Sequence, residues 1–206
     1  LYATGWLHNH VRMWLASYVV HLRKVHWRAG ADWLFAHLID GDLASNHLSW
    51  QWVAGTGSHK PYLFNADNVA RYAPPGSPWL SPGSVIDTSY EALDRLARQA
   101  APVPGPGGEG LAEPDSQTTP PGDLFDPLDP ARVQGRTVWI MHPWSLGPVP
   151  DDLPPDTLCL GWWPASFHGR WPWSERRWRF VGDRLRAACE AVWWADASDL
   201  ARALAG

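Results

Sequence analysis

Hydrophobic residues in the first part of the chain recur every three or four positions, which is the spacing of an amphipathic helix. The first helix that this pattern predicts has its apolar face at Val11, Leu15, Tyr18, Leu22 and Val25. A second helix covers residues 33–38 and ends at the Asp-Gly-Asp sequence 40–42, and a third runs from about residue 43 to residue 54. Thr88 and Glu91 have the spacing of a capping box and predict one more helix.

The pattern changes towards the C-terminus. Short apolar runs at 137–141, 157–163 and 191–196 predict buried strands, and a helix from Ser174 to Cys189 lies between the last two. With a final helix over 199–204, these elements predict a small α/β unit.

Arginines alternate with tryptophans over residues 170–186, a mixture that can bind nucleic acid. The same residues also fit an amphipathic helix that buries Trp178, Val181 and Leu185 and exposes its arginines. We favour the amphipathic helix.

Residues 102–131 have no hydrophobic period, and they carry six acidic and no basic residues. Burial cannot offset the chain entropy of such a segment, so it is predicted to be a disordered linker. The predicted organisation is therefore a helical domain over 1–101, a linker over 102–131 and an α/β appendage over 132–206.

Composition excludes several classes of protein. The chain has 206 residues, of which 45% are hydrophobic, and a formal net charge of −4. It has no apolar run long enough for a membrane span and no leader, so we expect a cytoplasmic location. Cys159 and Cys189 are too few for a disulfide framework, and the nine histidines lack a matching ligand set, so no metal is expected. The first residue is Leu1, which suggests part of a longer protein.

Polar residues of the first helices could form a site. Asn9 and Arg12 share one helical face, Asp40 and Asp42 follow the second helix, and Asn46 lies on the third. These groups would converge if the helices pack together. The alternative is an ordinary buried ion pair between Arg12 and Asp40, with the amides capping nearby turns.

Three segments resemble the flavin-binding domain of the photolyase/cryptochrome family: residues 4–13, the pair Trp27-Arg28, and residues 38–57. The resemblance is collinear over about residues 4–65. It implies a mainly α fold, namely part of the all-helical photolyase FAD-binding domain, followed here by the small α/β appendage.

The resemblance also implies a cofactor, FAD, and a set of residues around its isoalloxazine ring. In the family, an arginine–aspartate pair lies beside the ring, a second aspartate bonds its polar edge, and an asparagine faces N5. Here Arg12 and Asp40 correspond to the pair, Asp42 to the second aspartate and Asn46 to the asparagine that faces N5. Asn9 corresponds to a further position around the ring.

Further positions match residues that move electrons or bind substrate in the family. Trp50 and Trp27 match the inner members of a tryptophan relay, and with Asn46 they are the candidate catalytic residues. Met13 and Trp52 match positions that touch an extruded pyrimidine dimer, where an aromatic face can stack on a base. The sequence departs from the family at His10, which replaces an arginine that meets DNA phosphate, and at residues 47–49.

The implied activity of the full-length form is that of a deoxyribodipyrimidine photo-lyase. Such an enzyme uses light to transfer an electron from excited reduced FAD to cyclobutane pyrimidine dimers, and DNA is then the partner. Two alternatives stay open: a cryptochrome-like photoreceptor that signals through flavin photoreduction, and a degenerate remnant that binds nothing. The sequence indicates neither a membrane partner nor an oligomeric state.

Overall fold

The computed structural model describes residues 1–58, 60–100 and 113–205 and divides into two compact units. The helical unit contains Trp6–Phe35 and the described residues from Asp40 to residue 100. The α/β unit contains Leu1–Gly5, Ala36–Ile39 and the described residues from Glu113 onward. This composition agrees with a mainly α protein that carries a small α/β portion.

Five α-helices form in the described residues up to residue 100. They are α1 (Asn9–Ser17), α2 (Trp27–His37), α3 (Leu43–Ala54), α4 (Ala66–Tyr72) and α5 (Tyr90–Arg98). The structure has α3 at its predicted position, and α2 ends close to its predicted end but begins at Trp27, six residues before the predicted start. The helix α4 is an addition that the sequence pattern did not show.

The first predicted helix is shorter than expected. After α1 the chain forms a π-helical turn, Tyr18–Leu22, and Val25 lies outside it. Lys24 adopts a left-handed backbone with φ of 58°, a conformation that ends a helix. Its ammonium group donates to the carbonyl oxygens of Leu96, at 2.5 Å, and Ala97, at 2.8 Å, at the end of α5.

The start of α5 also differs by one residue from the predicted capping box. Ser89, not Thr88, is the N-cap, and its hydroxyl accepts a hydrogen bond from the backbone N–H of Ala92.

One cluster of buried side chains joins α1 to α4 and the segments around it. Trp14 stacks on Phe64 with 5.8 Å between ring centroids, and its indole N–H donates to Asn68 at 3.1 Å. Val69 and Ile86 complete the buried group. This core fixes the face of α1 that points inward and leaves Arg12 on the other side.

The α/β unit has a parallel sheet of three strands. Its elements are β1 (Ser116–Gln117), β2 (Val138–Met141), β3 (Leu158–Pro164), α6 (Ala165–His168), β4 (Trp173–Ser174), α7 (Glu175–Ala188), β5 (Ala191–Ala195) and α8 (Ala197–Ala205). The sheet order is β2-β3-β5, while β1 and β4 form a separate antiparallel pair. The predicted strands and the two predicted C-terminal helices are all present.

Part of the predicted linker is ordered in the structure. Leu124 is 2% exposed and lies against Gly182, where an added Cβ would come within 2.7 Å of a Leu124 methyl carbon. Asp126 bridges to Val192 on β5 through two hydrogen bonds. These contacts bury part of the segment, which its proline-rich composition did not predict. Residues 102–112 of the predicted linker lie outside the described part of the chain.

No helix within the described residues is long and apolar enough to cross a membrane.

Candidate functional site

The ion pair between Arg12 and Asp40 is present. Arg12 Nη2 lies 2.7 Å from Asp40 Oδ2 and 3.0 Å from Oδ1, and Arg12 Nε donates to the carbonyl oxygen of Leu7 at 2.8 Å. The two side chains are 24% and 47% exposed, so the alternative of a buried pair does not hold. Exposed pairs contribute at most about 1 kcal/mol to stability. The contact therefore matters mainly because it fixes the direction of the guanidinium group.

Asp42 and Asn46 are placed by the first turn of α3. Asp42 is its N-cap and accepts a hydrogen bond from the backbone N–H of Ser45 at 2.7 Å. One turn later, the Asn46 amide donates to the carbonyl oxygen of Ala31 on α2 at 2.8 Å. The carboxylate thus caps the helix, while the amide links α3 to α2 and is not a cap.

Several hydrogen-bonding groups of this polar set have no partner within the described residues. They are the side-chain amide of Asn9, the Nη1 group of Arg12 and the side-chain oxygen Oδ1 of Asn46. The set offers a cation, two carboxylates and both amide donors and acceptors, and a flavin ring needs donors as well as acceptors along its polar edge. The residues present therefore fit FAD by the chemistry of their donors.

The structure joins the candidates as two pairs, Arg12 with Asp40 and Asp42 with Asn46. The amide of Asn9 precedes Arg12 on α1 by one turn and makes no hydrogen bond to either pair in the described part of the chain.

Trp50 packs between α3 and α2. It is 2% exposed and lies so close to Gly30 that an added Cβ there would be 2.2 Å from its ring. Trp27, at the start of α2, is half-buried and meets His47 edge-on with 6.5 Å between ring centroids.

His47 has a role that the sequence did not reveal. Its Nδ1 lies 2.8 Å from the carbonyl oxygen of Leu43, and its Nε2 lies 2.7 Å from an Asp32 carboxylate oxygen. Both partners are acceptors, so both bonds form together only when the ring carries two protons. Asp32 reaches this position from α2, and no local sequence signal marks a contact between residues fifteen positions apart.

Met13 and Trp52 differ in exposure. Met13 is half-buried on α1, whereas Trp52 is 58% exposed on α3. The Trp52 ring contacts the Tyr62 ring with 5.2 Å between centroids. The open face of such an indole can stack on a base.

A group of exposed rings in mutual contact extends from α1 to α4. His10 lies 5.4 Å from His8 and 5.3 Å from Tyr72, between ring centroids. Tyr72 is 53% exposed and has the Arg71 guanidinium 5.6 Å from its ring centroid. Sequence reasoning missed this group because α4, which carries Tyr72 and Arg71, was not predicted.

The α/β unit contains a separate cluster of rings around His168. His168 is fully buried, and its ring centroid lies 4.4 Å from Trp173 and 4.5 Å from Trp178. Among the described residues, neither ring nitrogen has a hydrogen-bond partner. Burial, helped by the charge of Arg177, lowers the pKa of His168 to about 3. Arg177 is itself 3% exposed and lies 3.8 Å from the Trp173 ring centroid, so the prediction that every arginine of α7 is solvated is wrong for this residue.

Comparison with known proteins bears on the helical part of the chain. Residues 1–75 match the family described as the FAD binding domain of DNA photolyase. These residues are a partial FAD-binding domain of the photolyase family. The resemblance inferred from the sequence is thereby confirmed, and FAD is confirmed as the cofactor of the matching family.

Relatives of this photolyase-type domain include three deoxyribodipyrimidine photo-lyases. The Salmonella typhimurium protein is 46% identical over 68 residues, which are 33% of this chain and 14% of that protein. The Streptomyces griseus protein is 52% identical over 54 residues, covering 26% and 12%. The Agrobacterium fabrum protein is 41% identical over 99 residues, covering 48% and 20%.

The chain thus spans at most about a fifth of the length of these relatives. No solved structure matches it.

Proposed function

We propose that this chain forms part of the flavin site of a light-driven photolyase that repairs cyclobutane pyrimidine dimers in DNA. The observation that carries the proposal is the family match over residues 1–75, which covers all of the candidate site residues. The relatives' name, deoxyribodipyrimidine photo-lyase, supports the same enzyme class for the full-length form. When bound and reduced, FAD supplies the excited electron that opens the dimer and is afterwards returned.

Arg12 would hold the flavin ring from one side. Its positive charge would favour an anionic reduced ring, because opposite charges attract, and the attraction would strengthen once a bound ring covers the guanidinium group. Asp40 contacts one guanidinium nitrogen with both carboxylate oxygens, and Leu7 accepts from Nε, so the side chain is oriented before the cofactor arrives. Such preorganisation lowers the cost of binding.

Asn46 and Asp42 would meet the polar edge of the ring. The donor side of the Asn46 amide is occupied by the carbonyl oxygen of Ala31, which leaves the acceptor oxygen for a protonated ring nitrogen. Asp42 keeps one carboxylate oxygen on the N-cap bond and can offer the other to a ring N–H group.

The aromatic residues have distinct proposed roles. Trp50 is shielded from water, which suits a residue that passes electrons towards the flavin, and Trp27 would be the next member of the relay. Trp52, with its open face, and Met13 on α1 would contact the extruded dimer. None of these roles requires a general acid or base.

A repair assay on the full-length, FAD-loaded protein tests the proposal. Reduced protein is mixed with an oligonucleotide containing one cyclobutane dimer and is kept in blue light or in darkness. We expect dimer loss only in the light, and Trp52→Ala should weaken binding of the damaged strand while FAD stays bound. Absence of turnover with fully reduced flavin would overturn the proposal. Flavin photoreduction without repair would then favour the photoreceptor, and absence of bound FAD would favour the remnant.

A further inference from the structure

The two cysteines of the chain meet in the α/β unit. Cys159 lies on β3 and Cys189 directly follows α7, and their sulfur atoms are 3.2 Å apart. Both are free thiols, and the sequence contains no other cysteine. Thirty positions separate them, so the fold and not the local sequence brings them together.

Backbone contacts next to the two cysteines hold their segments together. The backbone N–H of Glu190 donates to the carbonyl oxygen of Cys159 at 2.9 Å, and the parallel pairing of β3 with β5 begins one residue later, at Leu160 and Ala191. A disulfide needs two backbones at close and fixed separation. Here the strand pairing that follows both cysteines holds their segments together, and the sulfur atoms are 3.2 Å apart while the thiols are still reduced.

We propose that Cys159 and Cys189 form a reversible intramolecular disulfide when the protein meets a small-molecule disulfide. This proposal is independent of the flavin site. A metal is not the better explanation, because the described residues bring no group of three or more histidine, cysteine or acidic side chains together as ligands.

The reaction proceeds by two exchanges. The Cys189 thiolate attacks one sulfur of the reagent, the reagent's S–S bond breaks, and one thiolate leaves. The Cys159 thiolate then attacks Cys189 Sγ in the mixed disulfide, and the second reagent thiolate leaves. The protein loses two electrons and two protons, and the reagent gains both. Cys189 reacts first because it is half-buried, whereas Cys159 is 8% exposed.

The surroundings of Cys189 make the reaction slow at neutral pH. Burial, followed by the hydrogen bond to Cys159, raises the pKa of the Cys189 thiol, and the nearby Arg184 opposes this only in part. Glu190 follows directly and pairs with Arg136. Because the thiolate is the nucleophile, the rate of closure should rise about tenfold per pH unit between neutral pH and about pH 9.

The bond would act on the ring cluster of the α/β unit. The loop that it closes contains His168, Trp173 and Trp178, together with the whole of α7. Closing a loop of about this length restricts the unfolded chain, and in a unit of this size we expect the unfolding midpoint to rise by about 15–20 °C.

Thiol counting on the whole chain tests the proposal. The protein is incubated with oxidised glutathione at neutral pH and at about pH 9, and free thiols, intact mass and non-reducing gel mobility are measured. We expect the thiol count to fall from two to zero, with loss of two hydrogen atoms, a monomeric band and reversal by dithiothreitol. Faster closure at the higher pH is also expected.

Single-cysteine variants distinguish an intramolecular disulfide from a mixed disulfide with glutathione. Cys159→Ser should stop at a mixed disulfide and gain the mass of one glutathione, and Cys189→Ser should react more slowly still. Two persistent thiols in the unsubstituted protein, a stable mixed disulfide or a disulfide-linked dimer would each overturn the proposal. Because the readout is covalent mass, a variant of reduced stability still gives a clear answer.

Discussion

Acid should destabilise the α/β unit through His168. The pKa of this residue is 6.5 in an unfolded chain and about 3 in the folded unit, because burial and the charge of Arg177 disfavour the protonated ring. The folded value is the lower one, so the unfolded state binds the extra proton first. Stability is therefore complete above about pH 6.5 and is lost as the pH falls towards about 3.

The size of the effect follows from the two pKa values. Their difference corresponds to about 5 kcal/mol, since one pKa unit is worth about 1.4 kcal/mol. About 2 kcal/mol of this is lost by pH 5 and about 3 kcal/mol by pH 4. In a unit of roughly a hundred residues, the loss at pH 5 lowers the unfolding midpoint by about 10 °C.

His168→Phe is the matched control for other acid-sensitive groups. Phenylalanine keeps a ring in the cluster with Trp173 and Trp178 but cannot be protonated. Because neither nitrogen of His168 has a hydrogen-bond partner in the part of the chain that the structure describes, the variant should be at least as stable as the original protein at about pH 7.5. Thermal unfolding followed by near-ultraviolet circular dichroism, which reports on the packed tryptophans, measures both proteins from about pH 7.5 to about pH 4.

The test is the difference in unfolding midpoint between the original protein and His168→Phe at each pH. We expect the gap in unfolding midpoint to widen steadily below pH 6.5. Parallel pH profiles, with a constant gap, would show that His168 is not held neutral by the fold and would refute the reasoning.

The remaining predictions concern the helical unit. Gly30→Ala should destabilise this unit by about 1–3 kcal/mol through overlap with Trp50, although alanine favours helix. Gly57→Ala, where an added Cβ meets nothing within 4 Å, should change the thermal midpoint little, and equal midpoints for the two variants would contradict the packing argument. Asp42→Ala should cost about 1 kcal/mol through loss of the N-cap, whereas Asp42→Ser keeps a cap for the Ser45 N–H group. Both Asp42 variants should lower FAD retention in the full-length protein, and full retention in either would remove Asp42 from the proposed site.

Local patterns in the sequence were sufficient for most of the longer elements, but not for α4. Helical spacing located α2, α3 and α7, and the apolar runs located β2, β3 and β5, because each of these elements buries one face or a whole strand. The length of the first helix was mispredicted because its end depends on the left-handed backbone at Lys24 and on a contact with the distant end of α5. The spacing of hydrophobic residues predicts neither this backbone conformation nor this contact.

The candidate site was likewise predictable only in part. Periodicity placed Asn9 and Arg12 on one face, and the structure then paired Arg12 with Asp40. Contacts between distant segments were beyond the sequence: Asp32 with His47, Leu124 with Gly182, and Cys159 with Cys189. Each depends on how elements pack, and single-residue propensities do not encode it.

Flavin retention tests the central claim most directly. The near-ultraviolet and visible absorption spectrum of the purified full-length protein gives its FAD content, and the same spectrum is measured for Arg12→Ala and Arg23→Ala. Arg12 pairs with Asp40, whereas Arg23 is an exposed arginine of the same unit. We expect bound FAD in the original protein and in Arg23→Ala, and at least about tenfold weaker FAD binding in Arg12→Ala, the cost of one charged hydrogen-bonding group. A full-length protein without flavin, or equal FAD content in all three proteins, would contradict the account.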